Sequence, residues 1–181
     1  MLSQKSEVEG SFKDLTKVIF ALYDVFSKNY PLKPGFINRC CPCCSPTTEE
    51  LASLLKPLGT LSMNDFDGYP CNAIYTWGDK EDFKYFLPRM LELNVYIELY
   101  DADIYLLSSL EHSNWPQWSD VEKNIFLDFC VCYFYNFLAN FKFHDATKWG
   151  SYMDRPRFAT TFFIFLAKNL YSDFNQNILI L

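Results

Sequence analysis

The sequence predicts an all-α fold, a compact bundle or a short helical-repeat-like array of about six to eight helices. Three observations lead there. Apolar residues fill 50% of the 181 positions and charged residues 21%, which is enough to bury a sizeable core. The apolar half is heavy in large side chains, with 18 Phe and 12 Tyr against 6 Gly, and that suits packed helices better than a turn-rich sandwich. Apolar residues also recur at helical spacing, several times directly after a polar-x-x-acid signature that starts helices.

In chain order, residues 10–28 read as a helix with Phe12, Leu15, Val18, Ile19, Leu22 and Phe26 on one stripe. Pro31, Pro34 and Gly35 end it, and an extended connection leads to Cys40-Cys41-Pro42-Cys43-Cys44. A second helix follows, capped by Ser45 or Thr47. Thr47-x-x-Glu50 has the form of a capping box, and Leu51, Leu54, Leu55 and Leu58 make the apolar side before Pro57 and Gly59 close it. Ser62-x-x-Asp65 marks the next start, and Pro70 predicts a break or kink near Tyr69. Asp79 caps a longer helix carrying Phe83, Phe86, Leu87, Met90, Leu91 and Leu93, which Pro88 is expected to kink or restart.

Residues 95–100 alternate like a strand but have no strand to pair with, so they read as helix or irregular chain. Asp101 or Asp103 caps a short helix through Ile104, Leu107 and Leu110, and Trp115-Pro116-Gln117-Trp118 connects onward. Ser119-x-x-Glu122 opens a long helix that is apolar nearly all round, which predicts the central buried helix. Residues 144–157 read as a loop, about 157–170 as a last helix, and Ile178 to Leu181 as a short apolar tail. With no linker or low-complexity run, residues 1–181 read as one domain.

A formal net charge of −6 and a pI near 4.9 argue against nucleic acid or an anionic membrane as partner, since phosphate binding needs a surplus of Lys and Arg. The same balance suits a basic protein partner. The polar N-terminal stretch has no secretory pattern, which predicts a cytoplasmic protein with reduced thiols, and seven cysteines suit a disulfide framework poorly.

Several stretches together carry a resemblance: Tyr30-Pro31, Cys41-Pro42-Cys43-Cys44, Lys56-Pro57-Leu58, and Thr76-Trp77-Gly78-Asp79 followed by Phe83-Lys84-Tyr85-Phe86-Leu87-Pro88-Arg89-Met90-Leu91-Glu92. With Trp115-Pro116 ahead of a helix, residues 30–120 or so resemble a widespread family of uncharacterised bacterial proteins. The resemblance implies no activity or cofactor and assigns no functional residue. This chain departs from the pattern at the additional Cys40 and at Pro70.

Two groups stand out as candidate sites. The first is the cysteine cluster. Read as a zinc site, it offers Cys41, Cys43 and Cys44, with Cys71 folding back as the fourth ligand. Cys130 and Cys132 lie two apart on a helix, about 200° around its axis, and make a poor chelate. Read as a redox site, Cys41-Pro42-Cys43-Cys44 precedes a helix but lacks the βαβ setting of redox folds. Read structurally, the thiols pack as small hydrophobes around a turn stiffened by Pro42. The second group is Trp77, Asp79, Arg89, Trp115 and Trp118, residue types suited to a partner-binding hot spot, or, for the tryptophans, to filling corners between helices.

His144-Asp145 has only His112 as a further histidine, so a multi-histidine metal centre is excluded. Neither a Gly-rich phosphate loop nor a nucleophile elbow is present. Asp101/Asp103 and Glu49/Glu50 read as helix-start residues. The expectation is a non-enzymatic, cytoplasmic protein-binding module without cofactor, of the immunity or antitoxin type, masking a basic toxin or another basic partner. The alternative is a thiol-based redox or zinc protein centred on Cys40 to Cys44.

Overall fold

The computed structural model describes residues 14–36, 43–96, 102–140, 162 and 164–167, and among these the chain is helical and holds no strand. Helix α1 covers 14–22, and its last turn widens into a π turn, Tyr23–Ser27, closed by the Lys28 N–H on the Tyr23 carbonyl at 3.2 Å. Helix α2 is Thr48–Leu54, followed by two 3₁₀ turns, Leu58–Thr60 and Met63–Phe66. Helices α3 (Tyr69–Asn72), α4 (Lys80–Tyr96) and α5 (Ala102–His112) come next, then a 3₁₀ turn, Trp115–Gln117, and α6 (Asp120–Asn140). A last helix, α7, is described at 162 and 164–167. Residues 97–100, the loop over 144–157, the apolar tail, Cys40 and Cys41 lie outside the described residues.

Four starts use one local device, a polar residue and an acid three positions on. Thr47 Oγ1 accepts the Glu50 N–H at 3.2 Å while Glu50 Oε2 accepts the Thr47 N–H at 2.6 Å. At α4, Asp79 Oδ1 accepts the Glu81 and Asp82 N–H groups at 2.8 and 3.0 Å, and Asp82 returns a bond to the Asp79 N–H at 2.9 Å. At α6, Glu122 Oε2 takes the Ser119 N–H and hydroxyl, both at 2.8 Å, and the Glu122 N–H reaches Ser119 Oγ at 3.3 Å. Asp65 Oδ2 takes the Ser62 N–H and hydroxyl at 2.7 Å. Caps of this kind contribute about 1 kcal/mol each.

The break expected near Tyr69 is present, whereas the restart expected at Pro88 is not. Ser62 opens only a 3₁₀ turn, and the chain reverses at Gly68, whose φ of 72° is a left-handed conformation that glycine tolerates. Pro70 then sits in the first turn of α3, where a missing N–H costs nothing. Pro88 does not restart α4, which runs unbroken from Lys80 to Tyr96. It leaves the Lys84 carbonyl without a helical donor. The next carbonyl, of Tyr85, accepts the Ser27 hydroxyl of α1 at 2.9 Å.

The central helix is α4, not α6. Phe83, Phe86, Leu87, Met90, Leu91 and Leu93 are buried there, and so are Asp82, Lys84 and Asn94. Helix α6 buries one side, Phe126, Phe129, Cys130 and Tyr133, while Val121, Val131 and Tyr135 are exposed. A single core cluster joins α4 to Leu15, Ile19, Leu22 and Phe26 of α1, to Phe36, to Leu106, Leu107 and Leu110 of α5, and to Phe162, Phe165 and Leu166 of α7. Edge-on aromatic pairs knit it, including Tyr69–Phe86 at 4.8 Å, Phe26–Trp118 at 5.1 Å and Trp115–Phe126 at 5.5 Å between centroids. Helix α2 packs on the 3₁₀ turn Met63–Phe66, and the turn before it is tied to Trp77, between α3 and α4.

Candidate thiol site at the turn before α2

Cys43 and Cys44 lie on an exposed turn, and their sulfurs are 3.6 Å apart. Neither is in a disulfide. The turn is fixed from below. The indole N–H of Trp77 donates to the Cys44 carbonyl at 2.6 Å, while the Trp77 ring is only 5% exposed. That ring lies against Gly68, where an added Cβ would sit 3.1 Å from its Cη2, and it packs beside Tyr69. Chain direction is held by Asn72, whose carbonyl accepts the N–H groups of Tyr75, Thr76 and Trp77 and whose amide donates to the Gly68 carbonyl at 2.8 Å.

Trp77-Gly78-Asp79 is therefore a three-residue corner. Trp77 holds the cysteine turn. Gly78 admits neighbours that a side chain would exclude, since a Cβ there would lie 2.9 Å from Phe36 and 3.0 Å from Asp82 Oδ2. Asp79 caps α4. One stretch of the sequence thus joins the thiol turn to the central helix.

The other described thiols are muted by their surroundings. Burial pushes the Cys71 thiol up, with the Asp67 carboxylate adding to it, and burial raises Cys130 well above the usual range. Cys132 is raised by burial and then by Asp14 and Asp128. Thiolate character is suppressed at all three. Among the described residues no three His, Cys, Asp or Glu side chains stand together as metal ligands, so Cys71 does not join Cys43 and Cys44 there. Cys41, the remaining member of the expected zinc set, lies outside the described residues.

The five residues expected at a partner-binding hot spot are not brought together on the surface. Trp77, Trp115 and Trp118 are buried, and Trp118 packs between Phe26 and Phe126. Arg89 works inside the fold, with Nε on the Leu61 carbonyl at 2.7 Å and Nη1 on Glu92 Oε2 at 2.6 Å, an oxygen that also accepts the Tyr23 hydroxyl at 2.6 Å. Asp79 is a cap.

Sequence reasoning missed a buried ionic cluster. Lys84 Nζ lies 2.5 Å from Glu122 Oε1, donates to the Tyr30 hydroxyl oxygen at 3.1 Å, and sits 4.4 and 5.1 Å from the Tyr30 and Trp118 ring centroids. The signal was present, because Lys84 shares a helical face with the core residues Leu87 and Leu91. A second unforeseen contact joins α5 to the α3–α4 corner, where the Tyr75 hydroxyl is 2.6 Å from His112 Nδ1.

Among known proteins the chain matches no family model, no curated protein and no solved structure. Among the described residues no helix is long and apolar enough to cross a membrane.

Proposed function

We propose that the protein is a non-enzymatic binding module for a basic protein partner, of the immunity or antitoxin kind. The supporting observation is how charge is distributed. Lys17, Lys28, Lys33, Lys56, Lys84, Arg89 and Lys123 each face a carboxylate of the same chain. Lys84 and Arg89 are drawn into the fold and the others pair at the surface, while Glu49, Asp67 and Asp128 are exposed on a chain of net charge −6. Such a surface attracts Lys- and Arg-rich partners and repels nucleic acid. Occlusion by a rigid, capped helical scaffold supplies the mechanism.

Affinity purification of the tagged full chain from its native host tests the reading. The expected result is a stoichiometric protein partner with surplus Lys and Arg, whose complex weakens as salt shortens the Debye length from about 10 Å at 0.1 M to about 3 Å at 1 M. The Glu49→Lys/Asp67→Lys variant, checked for unchanged helicity, should bind more weakly. Absence of any stoichiometric partner, or a partner held equally at high salt and by the variant, overturns it.

A further inference from the structure

Building on the reading of a basic protein partner, we propose that the solvent face of α6 is where that partner docks, through an amphipathic helix carrying a Lys or Arg opposite Asp128. From 121 to 135 the exposed residues of α6 are Val121, Asn124, Asp128, Val131, Phe134 and Tyr135. Val121, Asn124, Asp128, Val131 and Tyr135 follow one another at steps of three, four, three and four residues, the spacing of a coiled-coil seam. A helix side that only meets water is ordinarily charged or polar. Here Val121, Val131 and Tyr135 are 65%, 52% and 59% exposed. At about 1.5 Å per residue the stripe is about 21 Å long, apolar at both ends, with a carboxylate at its midpoint.

Charge decides what covers this face. Asp128 lies seven residues from each end of the stripe. Two copies of the face can overlap along its whole length in two ways, parallel in register or antiparallel about the midpoint. Both set Asp128 against its own counterpart, and like charges so placed oppose association. A cation at that position instead forms an ion pair between apolar contacts that keep water away from it. The nearest lysine in sequence, Lys123, faces Asp120 at 3.0 Å. Helix recognition reads apolar anchors at just this three-four spacing. The opposite side of α6 is fixed to the core by Phe126, Phe129 and Tyr133 and to α4 by the Lys84–Glu122 pair, so the stripe is presented by a helix that is already in place.

The probe is a labelled synthetic helical peptide with Leu at three-four spacing and Lys at its midpoint, and a twin carries Glu there. Titrated with the full chain and followed by fluorescence anisotropy, the Lys peptide should bind about tenfold or more tightly than the twin. Asp128→Lys should reverse that preference, and Val131→Ser/Tyr135→Ser should weaken the Lys peptide by about tenfold or more. The altered side chains are exposed, so unchanged helicity by circular dichroism separates loss of the surface from unfolding. Absence of binding, equal binding of the twins or a preference that Asp128→Lys leaves in place overturns the proposal. A wild-type dimer in sedimentation that Val131→Ser/Tyr135→Ser abolishes also overturns it, with a second copy as the occupant. A partner purified from the host that binds these variants as it binds the wild type overturns the docking face alone, whereas a host that yields no partner overturns the underlying reading and the docking face with it.

Discussion

Lys84 and Glu122 join the second turn of α4 to the first turn of α6 through an ion pair of 2.5 Å, with side chains only 11% and 6% exposed. Taking both charges out of water is costly, and their attraction offsets this only when the remaining hydrogen-bonding capacity is filled. Here it is. The Tyr30 oxygen takes a second ammonium proton, and Ser119 supplies two donors to the carboxylate.

Removing one partner should therefore strand the other. Lys84→Met is expected to cost about 3–5 kcal/mol in urea unfolding. Lys84→Met/Glu122→Gln should cost less than the sum of the two single changes, because the second change relieves the stranded charge. Additive costs would mean that the pair is not coupled.

Acid should destabilise the fold through two carboxylates. Burial pushes the Glu122 carboxyl up, but bonds from Lys84, Ser119 and Tyr30 outweigh it and hold it below the usual range. The Lys56 bond, then those from Ser62, hold Asp65 well below it. A depressed folded-state value gives stability that is full above the unfolded values, about 4 for both acids, and that fades as pH falls below them. Unfolding free energy should drop from about pH 5 downward, and Asp65→Asn should flatten that slope.

At the alkaline end the sign reverses. Burial and then the Glu92 bond raise the Tyr23 hydroxyl far above its ordinary value. Its contribution is complete below the unfolded value of about 10 and is lost as pH climbs beyond it. Stability curves of the wild type and Tyr23→Phe should converge above that point.

Gly59, Gly68 and Gly78 should respond differently to alanine. Gly68 has a left-handed φ and touches Trp77, and Gly78 would clash with Phe36 and Asp82, so each change should cost about 1–3 kcal/mol. Gly59 has open space around it, and alanine there should fall within about 0.5 kcal/mol of neutral. Thermal unfolding of the three variants checks the order.

What could be read from the chain followed the range of the forces involved. The starts at Thr47, Asp79 and Ser119 were legible because capping is settled within four residues. The ranking of α4 against α6 was not. Helix α6 reads as more apolar, yet burial went to α4, whose Lys84 and Arg89 find their partners on other segments. The tryptophans read both ways, as partner-binding residues and as corner fillers between helices, and the second reading is the one their burial bears out. Composition marks them as able to bind a partner, and only the positions of Gly68, Phe26 and Phe126 put them inside. The cysteine turn was half legible: its place ahead of a capped helix was plain, but its tie to Trp77 spans 33 residues.

The widened turn Tyr23–Ser27 has a consequence for how the chain tolerates insertion and deletion. Each residue added to or removed from a helix rotates everything beyond it by about 100°. At the end of the widening and just past it, Phe26 meets Trp118, Ser27 meets the Tyr85 carbonyl, and Tyr30 meets Lys84. A chain one residue shorter here would still coil into a sound helix. What it would forfeit is aim: three contacts onto α4 and the α5–α6 corner would swing off target together, so this turn acts as the indexing notch of the bundle.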